Sequence, residues 1–301
     1  YRSYVYAPKA DRFLRESWQE DHPKDVAEEI RLLAAKCRAI GVRFGIGFSP
    51  FEVWRDFGPT TKNLLRRKLS FFADIGVDDL AILFDDTKGD MPDLAARQVE
   101  IVHWIAGQAG PKKPVVCPTY YSDDPLLDRF FGERPASYLE EFGKRLDPNI
   151  DIFWTGEEVC SKAISSGHRD RVAVVLRRQP LLWDNYPVND GKRMSQYLHL
   201  RAFTGRPAAL ASRIAGHAIN PALQPTLSWI PALTLVESYT KGDADEYARA
   251  FANAASQVAG PELARMIQQD VGLFQDLGLD RLGTVAERLS NRYVAINHPA
   301  A

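Results

Sequence analysis

Two adjacent carboxylates, Asp85 and Asp86, follow an apolar run at residues 80–84 and are the sharpest chemical signal in the sequence. At the end of a buried strand they would repel each other, and their side chains would diverge toward different parts of one ligand. Unequal surroundings would split their pKa values and leave one acid and one anion, a pair that suits glycosidic cleavage. A solvated pair that caps the next helix is the competing interpretation, because residues 87–90 resemble a surface turn, and a metal site is a third.

A second polar cluster follows the apolar run at residues 181–183 and contains Trp183, Asn185 and Asp190. A tryptophan face can pack against a sugar ring or an acetyl methyl group, while amide and carboxylate groups bind hydroxyls. A core tryptophan followed by an ordinary turn, which Pro187 also favours, explains the same residues. The sequence leaves these two interpretations open.

Single polar residues follow other apolar runs, namely Lys9, Tyr121 and Asn220. Lys9 could bind a substrate hydroxyl and Tyr121 could donate to a carbonyl oxygen. A solvated lysine and a tyrosine packed under a loop are the alternatives. Taken with the aspartates, these groups suit a neutral, polyhydroxylated ligand.

The cysteines and histidines form no pattern typical of a disulfide framework, a zinc site or a nucleophile. There are three cysteines at wide spacings: Cys37, Cys117 and Cys160. Their odd number favours a reducing compartment, so a cytoplasmic location is expected, and Cys117 and Cys160 are expected to be small buried hydrophobes. Three of the scattered histidines are expected at the surface or in loops: His22, His168 and His217.

The elements that must position these residues are short apolar runs alternating with amphipathic stretches. The runs predict seven strands, at residues 4–7, 43–48, 80–84, 115–117, 152–154, 181–183 and 214–219. Helix-like segments between them include residues 24–40, 60–75, 93–109 and 137–146. This alternation predicts an α/β fold with a parallel sheet, and it favours a (β/α)8 TIM-like barrel without its first strand. An open doubly wound sheet is the alternative, but the Gly-rich phosphate loop that often accompanies it is missing. Because barrel strands end on one face, the polar residues are expected to converge on one pocket.

The two ends of the sequence lead to further expectations. The chain begins at Tyr1 in what resembles the middle of a fold, so a first strand and helix are expected upstream. Because a barrel lacking one strand exposes two sheet edges, residues 1–301 alone are predicted to be inactive. From about residue 231 the pattern is helical, at residues 231–239, 243–259, 261–277 and 282–292. Two domains are therefore predicted, a barrel over residues 1–232 and a small helical domain over residues 233–301.

The composition is that of a folded protein with no bulk attraction to nucleic acid. The 301 residues include 38 Lys and Arg against 39 Asp and Glu, which gives a formal net charge of -1. This balance excludes binding to nucleic acid through bulk electrostatics, and 45% hydrophobic residues exclude a disordered chain. No apolar run is long enough to predict a membrane span.

Six short motifs occur together and in order at the predicted strand ends. They are Tyr6-Ala7-Pro8-Lys9-Ala10-Asp11, Leu83-Phe84-Asp85-Asp86, Cys117-Pro118-Thr119-Tyr120-Tyr121, Trp154-Thr155-Gly156, Trp183-Asp184-Asn185 with Asn189-Asp190, and Asn220-Pro221. In this combination the sequence resembles the catalytic domain of glycoside hydrolase family 84, the β-N-acetylglucosaminidases that include the O-GlcNAcases. The resemblance covers roughly residues 4–232 and fades in the helical tail.

The resemblance implies a retaining, substrate-assisted mechanism without a metal or other cofactor. The acetamido oxygen of the substrate would attack the anomeric carbon, and water would open the resulting oxazoline. Asp85 would orient the acetamide N–H, and Asp86 would protonate the leaving oxygen and then activate water. The remaining implied roles are in sugar binding: Tyr121 and Asn185 at the acetamide, Trp183 around its methyl group, Asp190 at O4 and O6, and Lys9 and Asn220 at O3 or O4.

The resemblance also implies which substrates and partners the protein has and which alternative functions must be considered. The implied substrate is a GlcNAc-bearing glycoprotein, peptide or oligosaccharide, and a homodimer is compatible with the family. The family's Gly-Phe-Tyr-Gly type loop is absent, and Gly191 stands where some members carry an aromatic residue beside the leaving group. A hyaluronidase-like or chitin-fragment endo-hydrolase and a catalytically silent GlcNAc-binding lectin are the alternatives. The presence of both Asp85 and Asp86 speaks against the lectin.

Overall fold

The structure, a computed structural model, describes residues 1–85, 87–108, 114–241, 247–298 and 300. All seven predicted strands are present: β1 (Ser3–Tyr6), β2 (Arg43–Phe48), β3 (Asp79–Leu83), β4 (Val115–Cys117), β5 (Asp151–Trp154), β6 (Leu181–Asp184) and β7 (Gly216–Ile219). Their order in the sheet follows their order in the chain, as in a (β/α)8 barrel.

The helices of the described residues are α1 (Lys24–Ala39), α2 (Pro59–Asp74), α3 (Leu94–Gln108), α4 (Leu126–Phe131), α5 (Tyr138–Arg145), α6 (Ser166–Leu176), α7 (Gly191–Met194), α8 (Pro225–Lys241), α9 (Tyr247–Gly272) and α10 (Val285–Val294). Short 3-10 turns lie at Arg12–Leu14, Ala208–Ser212 and Leu279–Arg281, and a π-helical turn lies at Leu273–Leu277. Within these ranges, no helix combines the length and apolar character needed to cross a lipid bilayer.

The chain divides into two compact units. The first consists of Tyr1–Trp154 and Asp170–Leu181, and the second of Thr155–Arg169 and Leu182–Ala301. The predicted boundary between residues 232 and 233 falls within α8, and the division into a catalytic and a helical domain remains a prediction.

The sheet of the first unit is formed by parallel strands β1 to β5. The side chains of β2 are almost entirely buried, as expected for a parallel strand that is covered on both faces. At Gly47 in this strand there is no room for a side chain. A Cβ there would be 2.5 Å from the Cβ of Ala7 and 2.9 Å from Cδ1 of Leu83. The close approach of β2 to β3 and to the residue that follows β1 therefore depends on a missing side chain.

Helix α1 of the first unit buries one apolar stripe. In α1 the buried residues are Ala27, Ile30, Ala34 and Cys37, whose spacing of three and four residues lies on one helical face. Helix α2 begins with Gly58 as its N-cap and Pro59 in its first turn, where a missing backbone N–H is tolerated. These patterns explain why α1 and α2 were predictable.

The helices of the second unit have a core of their own. Small and aliphatic side chains, including Ile230, Ala255 and Ala264, are fully buried in it. Within α9, Gly260 has a φ of +76° and precedes Pro261, so the backbone is not helical there. The predicted break between residues 259 and 261 is confirmed.

Two expectations about single residues need correction. Cys117 is buried as predicted, but Cys160 is exposed because it lies in the irregular segment after β5. His217 is not in a surface loop: it lies in β7, and its side chain is 6% exposed. His22 lies in a loop, as predicted, and its side chain there is completely buried. Both histidines are held inside by aspartate partners, described below.

Candidate active site

Asp85 lies half-buried in the turn that follows β3, at the carboxyl end of the strand. The carbonyl of Phe84 accepts the backbone N–H of Thr87 at 3.1 Å and the hydroxyl of Thr119 at 3.2 Å. The turn is therefore fixed both to itself and to the end of β4. Asp85 does not cap a following helix, because α3 begins well downstream at Leu94. Asp86 lies outside the described residues.

A fully buried polar network supports the ends of β3 and β4. Its members, Gln98, Thr119 and Tyr138, are each at most 2% exposed. The Gln98 amide donates to the Thr119 hydroxyl at 2.7 Å, the Thr119 N–H donates to the Tyr138 hydroxyl at 3.1 Å, and Tyr138 donates to Gln98 Oε1. Burial raises the pKa of Tyr138 far above its ordinary value, so this hydroxyl stays a neutral donor. The closed network makes the carboxyl ends of two strands rigid.

Tyr121 is half-buried and follows the fully buried Tyr120 after β4. The Tyr120 hydroxyl donates to the carbonyl of Gly132 at 2.7 Å, and the Arg134 guanidinium lies 4.9 Å from the centre of its ring. Burial raises the pKa of Tyr120 to about 12. Gly89 packs directly on this hydroxyl, where any Cβ would collide with it. Tyr120 therefore connects the segment after Asp85 with the loop that carries Tyr121.

Lys9 is exposed in the loop after β1, and the loop is held by the buried Asp11. The Asp11 carboxylate lies 3.1 Å from Nε2 of His22 and accepts the N–H of Phe13 at 3.0 Å and the hydroxyl of Tyr6 at 3.3 Å. Burial raises the pKa of Asp11, but the hydrogen bonds from His22, Phe13 and Tyr6 outweigh it, and the net pKa is lowered. The backbone that presents Lys9 is thus fixed by an ionised carboxylate.

In the second unit, β6 ends in the half-buried Trp183 and the buried Asp184. The Arg206 guanidinium binds both carboxylate oxygens of Asp184, from Nε at 2.7 Å and from Nη2 at 2.8 Å. His217 Nε2 lies 3.1 Å from the same carboxylate. Burial raises the pKa of Asp184, yet the hydrogen bonds of His217 and Arg206 and the guanidinium charge bring the net pKa below its ordinary value. Asp184 is therefore a buried anion with charged and polar partners.

Asn185 and Asn220 are brought into direct contact after β6 and β7. The Asn220 amide donates to Oδ1 of Asn185 at 3.1 Å, and the Asn185 amide donates to the carbonyl of Val159 at 2.8 Å. The backbone N–H of Asn220 also donates to the carbonyl of Asp184 at 2.9 Å. Both amide side chains are therefore held in defined orientations, and each is half-buried.

Asp190 is half-buried at the start of α7, next to the almost completely buried Asn189. The Asn189 amide donates to the carbonyl of Tyr197 and to Oε1 of Gln224, both at 2.9 Å, and its Oδ1 accepts the N–H of Leu223 at 2.9 Å. Asn189 thus fixes the loop that leads to Asp190. Within the described part of the chain, the Asp190 side chain makes no capping hydrogen bond to α7.

The structure places the predicted site residues after the carboxyl ends of strands: Lys9 after β1, Asp85 after β3, Tyr121 after β4, Trp183, Asn185 and Asp190 at or after β6, and Asn220 after β7. Of these, Asn185 and Asn220 contact each other directly. Among the residues that the structure describes, no three His, Cys, Asp or Glu side chains are arranged to hold a metal ion.

Sequence reasoning missed the residues that hold the predicted ones in place. Arg206 stands between Gly205 and Pro207 without any motif, and His217 lies in the weakest of the predicted strands. A buried charge requires a partner of opposite charge or hydrogen-bond donors. The position of Asp184 in an apolar strand was therefore the one available signal that such partners exist.

Comparisons with known proteins show which family the chain resembles. A family model described as NAGidase, beta-N-acetylglucosaminidase, matches residues 1–270. The Protein O-GlcNAcases of Rattus norvegicus and Mus musculus are each 29% identical to the chain, over 249 and 246 residues respectively. Each alignment covers 79% of this chain and 26% of the relative, so the chain spans about a quarter of the length of these relatives.

Two solved structures have the same fold. A mutant O-GlcNAc hydrolase from Thermobaculum terrenum has a TM-score of 0.80 and 27% identity, covering 98% of this chain and 65% of that one. A structure named CpGH84B has a TM-score of 0.75 and 24% identity, covering 98% of this chain and 53% of that one. The second likeness concerns the fold alone. Together they confirm the predicted α/β, TIM-like architecture.

Proposed function

The chain belongs to the β-N-acetylglucosaminidase family, and we propose that it is a retaining exo-β-N-acetylglucosaminidase. The proposed reaction removes GlcNAc from Ser/Thr-linked O-GlcNAc or from other β-GlcNAc glycosides. The observation that carries the proposal is the family match over residues 1–270. The position of Asp85 at the carboxyl end of β3 supports it, because active sites of (β/α)8 enzymes lie at those ends.

In the first proposed step the substrate supplies its own nucleophile. The carbonyl oxygen of the 2-acetamido group attacks the anomeric carbon, the glycosidic bond breaks, and Asp86 donates a proton to the leaving oxygen. Asp85, in its ionised form, accepts the acetamide N–H and makes the carbonyl oxygen more nucleophilic. The hydrogen bonds that the Phe84 carbonyl accepts from the Thr87 N–H and the Thr119 hydroxyl support this role, because an orienting carboxylate must not move during the attack.

In the second proposed step the oxazoline is opened by water. Asp86, now ionised, removes a proton from the water molecule as its oxygen attacks the anomeric carbon from the face that the leaving group left. The carbon–oxygen bond to the acetamide breaks, and Asp85 again stabilises the N–H. Two inversions give a product with the stereochemistry of the substrate.

The proposed sugar-binding residues act on different parts of the GlcNAc ring. Tyr121 and Asn185 bind the acetamide, and Trp183 packs against its methyl group. Asp190 accepts hydrogen bonds from O4 and O6, whereas Lys9 and Asn220 bind O3 or O4. The fixed orientation of the half-buried Asn185 and Asn220 amides supports recognition, because a sugar lacking the matching polar group would leave part of their hydrogen-bonding capacity unused.

The proposed substrates are GlcNAc-bearing glycoproteins, peptides or oligosaccharides. The Protein O-GlcNAcases of rat and mouse support the protein-linked sugar as one of these substrates. Exo action is proposed because Asp190 would close the pocket around O4 and O6 of a terminal sugar.

The test is hydrolysis of two aryl β-N-acetylglucosaminides by the full-length protein, one with an activated phenolate leaving group and one with a poor leaving group. Asp86→Asn should slow the poor substrate by roughly 10²–10⁴-fold and the activated one much less, since an activated phenolate needs little acid assistance. Asp85→Asn should slow both substrates to a similar extent, because the acetamide attack is common to both.

Asp90→Asn is the matched control, since Asp90 is an exposed aspartate in the same segment and binds Arg55. This variant should keep the activity of the unaltered protein. Equal sensitivity of the two substrates to Asp86→Asn would contradict its role as the acid. Binding of GlcNAc without hydrolysis by any form of the protein would favour the lectin, and release of oligosaccharides from inside a chain would favour the endo-hydrolase.

A further inference from the structure

The end of β6 contains a buried ionic cluster that the proposed reaction does not use. We define it as the Asp184 cluster, consisting of Asp184, Arg206, His217 and Tyr239. The side chains of Asp184, Arg206 and His217 are 2%, 5% and 6% exposed. His217 Nδ1 lies 2.6 Å from the hydroxyl of Tyr239, so the ring connects this hydroxyl to the Asp184 carboxylate. Because a carboxylate only accepts, His217 Nε2 is the donor toward Asp184.

Arg206 uses its whole guanidinium to connect separate segments of the second unit. Two of its N–H groups bind Asp184, and the others bind the carbonyls of Ser161 at 2.6 Å, Lys162 at 2.5 Å and Thr204 at 2.8 Å. Five contacts match the five N–H donors that an arginine has. A lysine, with three donors and no planar fork, cannot reproduce this arrangement.

The cluster is connected, through the chain and through hydrogen bonds, to residues to which the proposed function assigns sugar contacts. Asp184 stands between Trp183 and Asn185 in the chain, and its carbonyl accepts the N–H of Asn220. The Asn185 amide is held on its other side by the carbonyl of Val159, in the same loop that Arg206 binds through Ser161. Moving the Asp184 carboxylate would therefore move the supports of Asn185 from two directions.

We propose that Asp184, Arg206 and His217 are positioning residues that fix Asn185, and with it Asn220, in the orientation required to hold the substrate acetamide and ring. The cluster touches no reacting atom and acts through Asn185. This inference rests on the proposed function, and it adds to it the residues that set the geometry of recognition. Misplacement of a positioning group by about 1 Å is enough to slow an enzyme by up to 10²-fold.

The test is a pair of double-mutant cycles with kcat/KM of an aryl β-N-acetylglucosaminide as the readout. His217→Leu removes the donor to Asp184 and should lower kcat/KM by about tenfold in the otherwise unaltered protein. In an Asn185→Ala background the same substitution should cost less than about twofold, because the group it positions is gone. In a Lys9→Ala background, where the altered side chain lies in the other unit, the full tenfold loss should remain.

Two further variants keep the test informative if His217→Leu does not fold. His217→Gln can still donate to Asp184 and should recover most of the lost kcat/KM. Tyr239→Phe removes only the hydroxyl that holds His217 and should lower kcat/KM slightly, again through Asn185. His103→Leu, at an exposed histidine in α3, is the matched control and should leave kcat/KM unchanged.

Each outcome bears on one of the two proposals. Equal losses of kcat/KM from His217→Leu in all three backgrounds would overturn the positioning role. Such a result would mean that the substitution acts independently of Asn185, as a general loss of stability does. The absence of any hydrolysis by the unaltered full-length protein would overturn the proposed function itself, and this inference with it. Coupling to Asn185 but not to Lys9 is the result that the structure leads us to expect.

Discussion

Two regions of the molecule use a buried aspartate and a buried histidine to hold the backbone after a barrel strand, but with different partners. Asp11 follows β1 and accepts hydrogen bonds from His22, the Tyr6 hydroxyl and the Phe13 N–H. Asp184 ends β6 and binds His217 together with the full positive charge of Arg206. The first region is held by hydrogen bonds, the second by an ion pair embedded in hydrogen bonds.

The two regions use a buried aspartate–histidine pair to support different kinds of side chain. The Asp11 region presents the exposed side chain of Lys9, whereas the Asp184 region supports the paired amides of Asn185 and Asn220. A buried ion pair confers little net stability, but removing one partner is strongly destabilising, because the remaining buried charge is left without compensation. We therefore expect the second region to be more sensitive to substitution than the first.

The largest effect is expected for Arg206→Met. It leaves the buried Asp184 carboxylate without its counter-charge, and the free energy of unfolding should fall by about 3–5 kcal/mol. Urea unfolding followed by circular dichroism measures this loss. Combining the substitution with Asp184→Asn should restore part of the stability, because no buried charge remains, and a loss below about 1 kcal/mol in Arg206→Met would break the comparison.

A smaller effect is expected for Asp11→Asn. The neutral amide cannot accept all three hydrogen bonds of the carboxylate, and losing bonds to a charged group costs about 1.5–3 kcal/mol. The same urea experiment should therefore rank Asp11→Asn clearly below Arg206→Met. Asp25→Asn, at an exposed position in the first turn of α1, is the matched control and should change stability little. Equal losses in the Asp11 and Arg206 variants would show that the charge of Arg206 adds nothing.

The smallest effect is a pH dependence in the first region. Lys68 is buried and donates to the carbonyl of Glu20, and burial lowers the pKa of its ammonium group to about 8. Between pH 8 and the ordinary lysine pKa near 10.4, the unfolded chain binds more protons than the folded one, so the free energy of unfolding should rise with pH. The gain from pH 8 to pH 9 should be about 1 kcal/mol.

Lys68→Met removes the group that titrates and should abolish this rise in the free energy of unfolding. The check is a set of urea unfolding curves at pH 7, 8 and 9 for both proteins. A rise that persists in Lys68→Met would assign the effect to another group. Arg206→Met should keep the rise, since Arg206 belongs to the second region.

The sequence predicts the strands and the main helices because their signals are local. Each apolar run of β1 to β7 is short and ends in polar residues, and the helix break at Gly260 and Pro261 combines two residues that disrupt helices for different physical reasons. The Asp184 cluster was not predictable, because Arg206 and His217 lie 22 and 33 residues from Asp184 in the chain. Neither partner has a periodicity or motif that marks it.

The contrast between local signals and contacts of distant residues also explains which site predictions remain open. Positions at strand ends follow from the fold, so Asp85, Tyr121 and Trp183 could be placed from the sequence. Their roles came from resemblance to a family and stay proposals, and Asp86 lies outside the described residues. The exposure of Cys160 and the burial of His22 were not predictable, since each depends on how an irregular segment packs.

The central claim, that the substrate acetamide is the nucleophile, is tested most directly by substrates whose acetyl group carries one, two or three fluorine atoms. Each fluorine withdraws electrons from the carbonyl oxygen and weakens its attack on the anomeric carbon. With one common leaving group, kcat/KM should fall steeply and steadily from the acetyl to the trifluoroacetyl substrate. A rate that does not depend on the number of fluorine atoms would contradict the claim and would require another nucleophile, either a protein carboxylate or a water molecule.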